Sequence, residues 1–278
     1  MKGAVAAFMC AIQTYLSQQK KGERLKGRLT LLLTTDEEGD GHDGIRRVVP
    51  WLEARNALPD FCLVGEPTSV HQTGDTIKIG RRGSLLSELV CYGKSGHIAY
   101  PHLADNPIPR LTKTLYCLKE HPLDRGDDMF QPSNLEVTSL YTKNAASNVI
   151  PGMVSARFGI RFNPHQTIEG LEDWIRGVSK AHAGQHQLSF HRSGEPYLTT
   201  DSAWIKRVEG AVQSVTGDMP ERSTSGGTSD GRFLGARCPV VELGLTNKTI
   251  HQIDECVLVK DLYLLQRMYE QFLAMTFV

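Results

Sequence analysis

RLTLLLTT (28–35) is a short continuous apolar run, the pattern expected of a β-strand covered on both faces. The acids of DEEGDG (36–41) follow it directly. FCLV (61–64) reads as a second buried strand, residues 76–80 as a third, and PVVELGL (239–245) as another near the C-terminus. Between and around them the spacing predicts helices at 1–18, 43–55, 201–217 and 259–276. In the first of these Val5, Phe8, Ile12, Tyr15 and Leu16 recur at helical intervals. Buried strands alternating with helices argue for an α/β layered domain.

The middle of the chain has a different order. Residues 84–93 read as a strand, 105–120 as a helix, 133–142 and 153–163 as strands, 167–182 as a helix and 186–192 as a strand. That βαββαβ order is the ferredoxin-like arrangement. It sits between two halves of the α/β pattern, so residues 83–194 are expected to be a domain inserted into one built from 1–82 and 195–278.

Lysine plus arginine equals aspartate plus glutamate at 31 each, so the formal net charge is zero and no basic stripe points to nucleic acid or an anionic membrane. The longest apolar stretches fall far short of a bilayer span. MKGAVAAFMCAIQTYL (1–16) carries one early lysine, but its periodic, polar-punctuated pattern reads as an amphipathic helix and not as a leader. The six cysteines are scattered with no C-x-x-C pair, which fits free thiols in a reducing cytoplasm. Trp51, Trp174 and Trp204 fall in helical patterns and are expected in a core or an interface. His42 and Asp43 are expected to begin a helix, and His102 to pack in a loop.

In open α/β sheets ligands gather at the carboxyl ends of strands. Glu37 and Glu38 follow the first strand, Glu66 in VGEPT follows the second, and His251 in TIHQIDE lies on the loop leaving the C-terminal strand. Carboxylate and imidazole donors of this kind suit zinc, cobalt or manganese. Each group taken alone has a bland reading as a solvated loop acid, a helix cap or a surface histidine. Their meeting at one rim is what favours a metal-dependent hydrolase.

The strings TTDEEGDG, CLVGEPT, KIGRRGSL, SGHIAYPHLADNPI, SNVIP, SGGTSDGRF and TIHQIDE occur in an order that closely resembles the bacterial succinyl-diaminopimelate desuccinylases, within the di-zinc aminoacylase and carboxypeptidase superfamily. The resemblance covers essentially the whole chain. It implies a mixed-sheet zinc-peptidase-like α/β domain with the βαββαβ insertion as its lid and dimerisation domain. It implies two divalent ions, zinc with cobalt possible, a homodimer, and hydrolysis of N-succinyl-LL-2,6-diaminopimelate. Acetylornithine deacetylase is the nearest rival.

Carried over residue by residue, the resemblance makes Glu37 the general base that takes a proton from the attacking water. Glu38 and His251 become ligands of one metal and Glu66 a ligand of the other. His97 becomes an oxyanion donor that reaches the partner subunit's site. Arg81 and Arg161 are implied as substrate-binding cations, with Ser84, Tyr100, Ser147, Asn148, Gly227 and Thr228 as neutral partners. Arginine forks suit a substrate rich in carboxylates. From the residues alone, Arg161 reads equally as an exposed strand arginine alternating with Arg157 in SARFGIRFN. Arg82 and Asp230 are expected as supports.

In the family the MKG segment directly follows an aspartate that bridges the metals, and an H-x-D histidine ligand lies further upstream. Both would precede Met1, so the 278 residues are expected to be most of a longer enzyme. The competing expectation is a shortened product that does not catalyse and dimerises through 84–193.

Overall fold

The computed structural model describes residues 1–20, 25–38 and 43–277. The chain begins with α1 (Lys2–Ser17), α2 (Ile45–Glu53), β1 (Cys62–Val64), β2 (Thr76–Lys78) and β3 (Gly80–Arg81). It continues through β4 (Gly83–Tyr92), β5 (Gly96–His97), α3 (Ile108–Glu120), β6 (Asn134–Tyr141), β7 (Val149–Ile150), β8 (Met153–Phe162), α4 (Ile168–His182) and β9 (His186–Gly194). It ends with β10 (Tyr197–Leu198), α5 (Ser202–Thr216), β11 (Glu221–Ser223), α6 (Gly231–Leu234), β12 (Val240–Glu242) and α7 (Val259–Thr276). Met1–Arg81 and Tyr197–Val278 form one compact unit and Arg82–Pro196 another.

The first unit is built on a mixed sheet of order β1-β12-β2-β11, in which β12 and β2 are antiparallel and the outer pairs parallel. Side chains alternate across it as the pleat requires. Val241, Leu243 and Ile77 pack with α1, α5 and α7, whereas Val240 packs with Ile45, Val49 and Leu234 of α2 and α6. The buried face of α1 is Ala4, Ala7, Ala11 and Tyr15, while Leu16 is exposed. Small side chains let α1 lie close to α7, and Phe8 stacks on Tyr269 with ring centroids 3.8 Å apart. Helix α5 starts on an Asp201 cap that accepts N–H groups of Ala203 and Trp204, and it stops at Gly217, whose φ of +86° suits a residue without a Cβ.

Three expectations are corrected in this unit. Residues 28–35 form no strand. Leu31, Leu32 and Leu33 are 40, 39 and 56% exposed, and no backbone ladder bond joins residues 29–35 to any described residue. Apolar content marks a segment able to be a buried strand, but a strand exists only where a neighbour offers its edge. Trp51 is not in the core: it is 53% exposed on α2, with the Arg55 guanidinium 4.2 Å from its ring. β1 is also only half-buried, unlike the fully buried strand read from FCLV. His42 lies outside the described residues.

The second unit has the βαββαβ order read from the sequence. Its antiparallel sheet runs β6-β8-β4-β9; β4 pairs with β8 along its whole length, and its register with β9 shifts between Ser84 and Leu85. Leu85, Leu89 and Cys91 of β4 and Val154, Ala156, Phe158, Ile160 and Phe162 of β8 pack with Leu111, Leu115 and Leu118 of α3 and Leu171 and Ile175 of α4. The opposite face carries Leu86 and the Glu88–Arg157 ion pair, both open to solvent.

Candidate active site

The acids of the first unit gather where its loops leave the sheet. Glu37 is half-buried, and burial raises its carboxyl above the ordinary range, helped by the charges of Asp230 and Glu38. Glu66, on the loop after β1, is pushed up to about 7, first by burial and then by Glu37 and Glu242. The Arg81 guanidinium and the α-amino group of Met1 oppose that rise. Asp230 is raised mainly by burial, against a hydrogen bond of 3.0 Å from the Thr34 hydroxyl. That bond ties the segment carrying Glu37 and Glu38 to the start of α6. Nearby, the Asp36 carboxylate accepts the Asp43 N–H at 3.0 Å.

Carboxylates that raise one another's pKa are a donor set in want of a cation. In kind they suit a divalent ion. In number they fall short: a catalytic zinc takes three protein ligands, and among the described residues no three His, Cys, Asp or Glu side chains close on one point. Glu38 is exposed, and so is His251, whose backbone holds a left-handed φ of +59° on the loop between β12 and α7. Burial keeps the thiols of Cys62 and Cys238 at about 12 and about 11, so neither offers a thiolate at neutral pH.

Arg81 ends β3 and is buried. Its Nε and Nη2 donate to Glu242, and its Nη1 reaches the carbonyl oxygens of Ser225 and Gly227 at 3.2 and 3.3 Å. Gly227 is exposed and Thr228 half-buried on the loop that follows. Glu242 was not singled out from the sequence, although a glutamate inside the apolar run PVVELGL is a visible signal, because such a carboxylate must find partners wherever the strand is buried.

In the second unit the sequence-derived residues fall into two groups. Ser84 and Arg161 are opposite each other in the β4–β8 register, and the Arg161 guanidinium donates to the Ser84 hydroxyl. Arg161 is half-buried whereas Arg157 points to solvent, so the two alternating arginines are distinct. Arg82 donates to Asn134 at 3.0 Å beside them. The second group surrounds β5. The ring of Tyr100 lies 5.9 Å from that of His97, and the Asn148 amide lies 3.3 Å from His97 Nε2. Ser147 is exposed on the turn entering β7. His97 Nδ1 accepts the Ala99 N–H at 3.0 Å, so in the neutral ring the proton sits on Nε2. With the proton on Nε2, the Asn148 Nδ2 that faces it at 3.3 Å is also a donor, so a hydrogen bond between the two requires the amide to turn its carbonyl oxygen inward. His102 is exposed in the 3-10 turn Pro101–Leu103.

The model of peptidase family M20/M25/M40 matches residues 1–275. The chain belongs to that family. Among curated relatives of this M20-family chain, a succinyl-diaminopimelate desuccinylase of Rhodospirillum centenum is 48% identical over 277 residues, covering all of this chain and 71% of that protein. Another with the same name, from Gluconacetobacter diazotrophicus, is 46% identical over 273 residues, covering 98% of this chain and 70% of that protein. An M20-family metallo-carboxypeptidase of Sulfolobus solfataricus shares the fold with a TM-score of 0.78 at 18% identity, covering 98% of this chain and 75% of that one. A dinuclear metal-binding M20 peptidase of Bacillus subtilis does so with a TM-score of 0.71 at 14% identity, covering 99% and 71%. No helix among the described residues is long and apolar enough to cross a membrane.

Proposed function

We propose that this chain is a metal-dependent amide hydrolase that converts N-succinyl-LL-2,6-diaminopimelate and water to succinate and LL-2,6-diaminopimelate, in lysine and diaminopimelate biosynthesis. The observation that carries the reading is near-half identity to desuccinylases over essentially the whole chain. The crowding of Glu37, Glu38 and Glu66 in one family-matched place supports it.

Glu38 and His251 would hold one divalent ion and Glu66 a second, zinc or cobalt, which would polarise the amide carbonyl and make water acidic. Glu37 takes a proton from the attacking water as the oxygen adds to the carbonyl carbon. A raised carboxyl pKa suits this work, since the proton must afterwards pass to the departing nitrogen when the C–N bond breaks. His97 is the proposed donor to the oxyanion, through the Nε2 proton that its Nδ1 contact enforces. Arg81, Gly227 and Thr228 in the first unit, and Ser84, Arg161, Tyr100, Ser147 and Asn148 in the second, are the proposed substrate groups. The inserted unit is proposed to pair two copies into a homodimer in the cytoplasm.

The test compares N-succinyl-LL-diaminopimelate with N-acetylornithine at equal concentration, in zinc or cobalt, with size measured in parallel. Preference for the succinyl substrate is expected. Preference for the acetyl substrate would move the assignment to a deacetylase. A dimer without turnover of either would leave only a dimerising protein.

A further inference from the structure

The first unit contains a polar network centred on a carboxylate that none of the assigned roles uses. Glu242, the last residue of β12, is fully buried. Its Oε2 accepts both Nε, at 3.0 Å, and Nη2 of Arg81. Its Oε1 accepts the hydroxyls of Tyr197, at 2.6 Å, and Ser229. Four donors fill the four acceptor positions that a carboxylate offers. The hydroxyl of Ser229 in turn accepts the N–H of Gly231 at 3.2 Å, where α6 begins.

A buried ion pair alone is weak evidence of a stabilising role, because a well-packed apolar replacement is often as stable. The remaining donors of Arg81 say more. Its Nη1 is used on the main-chain carbonyls of Ser225 and Gly227, so the loop wraps around the guanidinium. Gly226 adopts φ +102°, and a Cβ there would meet Arg81 Nη1 at 2.7 Å. On the other side of the loop, Lys78 Nζ donates to the hydroxyls of Ser223 and Ser225 at 2.9 Å each. The segment 223–229 is therefore held by two cations and one carboxylate, all rooted in β2, β3 and β12. Four of the five N–H groups of Arg81 are occupied within the protein, which leaves at most one for a ligand.

We propose that Glu242 is a positioning residue for substrate recognition: it fixes Arg81 and Ser229 together, and through them sets the main-chain shape of the 225–228 loop. This rests on the reading of Gly227 and Thr228 as substrate groups. Arg81 then acts chiefly by shaping the loop around its guanidinium, with one N–H still able to face a substrate carboxylate. Tyr197 completes the carboxylate so that Glu242 has no reason to rotate toward the neighbouring acids.

The experiment is amide hydrogen exchange on the whole chain, wild type against Glu242→Gln, followed by steady-state kinetics on the metal-loaded enzyme. Losing a hydrogen bond to a charged group changes a local equilibrium by ~10- to 100-fold. Exchange at 224–230 should therefore accelerate by about tenfold or more, while amides of α5, α7 and the inserted unit keep their wild-type rates. KM for the succinyl substrate should rise by a similar factor, with kcat falling less. Unchanged exchange at 224–230 would overturn the proposal. So would an acceleration spread evenly over the first unit, which is what a purely stabilising pair would give. If Glu242→Gln does not fold, Tyr197→Phe removes one donor and keeps the charge pair; it should give a smaller acceleration confined to the same loop, and none would overturn the proposal. Should the wild type release no succinate, the functional reading falls, while the exchange result still decides whether Glu242 sets the loop.

Discussion

Replacing Glu66 by glutamine should stabilise the metal-free protein at alkaline pH and not at acid pH. The Glu66 carboxyl is raised from 4.5 to about 7, by burial first and by Glu37 and Glu242 next. Near pH 4 folded and unfolded chains both hold the proton, and the side chain costs nothing by this route. As pH rises from 4.5 to about 7 the unfolded chain loses its proton first, so stability falls across that window. Above it the full penalty applies, about 3 kcal/mol for a shift of this size. Glutamine keeps the shape and removes the charge, but leaves an amide needing a partner at roughly 1 kcal/mol. The net gain at pH 8 is ~2 kcal/mol, or about 1 M in urea midpoint for a slope near 2 kcal/mol/M. At pH 4.5 the variant should match or fall slightly below the wild type. Urea unfolding of both proteins at both pH values, in chelator, is the assay. Added zinc should then reverse the order, because an ion at 100 times its Kd contributes ~2.7 kcal/mol only where the ligand is intact. A variant no more stable than wild type at pH 8 would refute the argument that burial and the neighbouring acids penalise the Glu66 carboxylate.

Asp75 is pushed up by burial, but its carboxyl is drawn below the ordinary range by the N–H groups of Gln72, Val70 and His71 and the Thr76 hydroxyl. Its contribution is present above the unfolded pKa and lost as pH falls through the lower folded one, so Asp75→Asn should weaken the fold by about 1–2 kcal/mol at pH 7 and by little at pH 2, read from thermal unfolding at each pH. Leu33→Lys should lower the light scattering of concentrated samples with stability changed by less than about 0.5 kcal/mol, because the Leu31–Leu33 run is exposed and makes no ladder bond to any described residue.

How much was legible in the sequence depended on what each signal measures. The inserted unit was read element by element because its strands and helices each bury one face, and the alternation in β4 and β8 is plain in the residues. Residues 28–35 misled for the complementary reason. Their apolar content is real, but composition says nothing about whether a neighbouring edge exists, and here the leucines face solvent. The helix at the N-terminus was legible, and Phe8, Ile12 and Tyr15 pack on the core while Leu16 is exposed; the alanines are silent in a reading of large apolar side chains, yet Ala4, Ala7 and Ala11 are what allow α1 to approach α7. In the candidate site, Glu37 and Glu66 were legible as acids after apolar runs, and the structure places them within each other's field. The role of Glu242 was not legible: the sequence sets it inside the apolar run 239–245, and its partners Arg81, Tyr197 and Ser229 come from remote parts of the sequence that only the fold unites.

The most direct test of the central claim is succinate release from N-succinyl-LL-diaminopimelate by the 278-residue chain, stripped of metal and then supplied with zinc or cobalt, beside Glu37→Gln treated identically. The account predicts release only when metal is added, and a rate ~100- to 10,000-fold lower in Glu37→Gln. Bound metal should be equal in the two proteins. No release at saturating metal, or a Glu37→Gln variant as fast as the wild type, would contradict it.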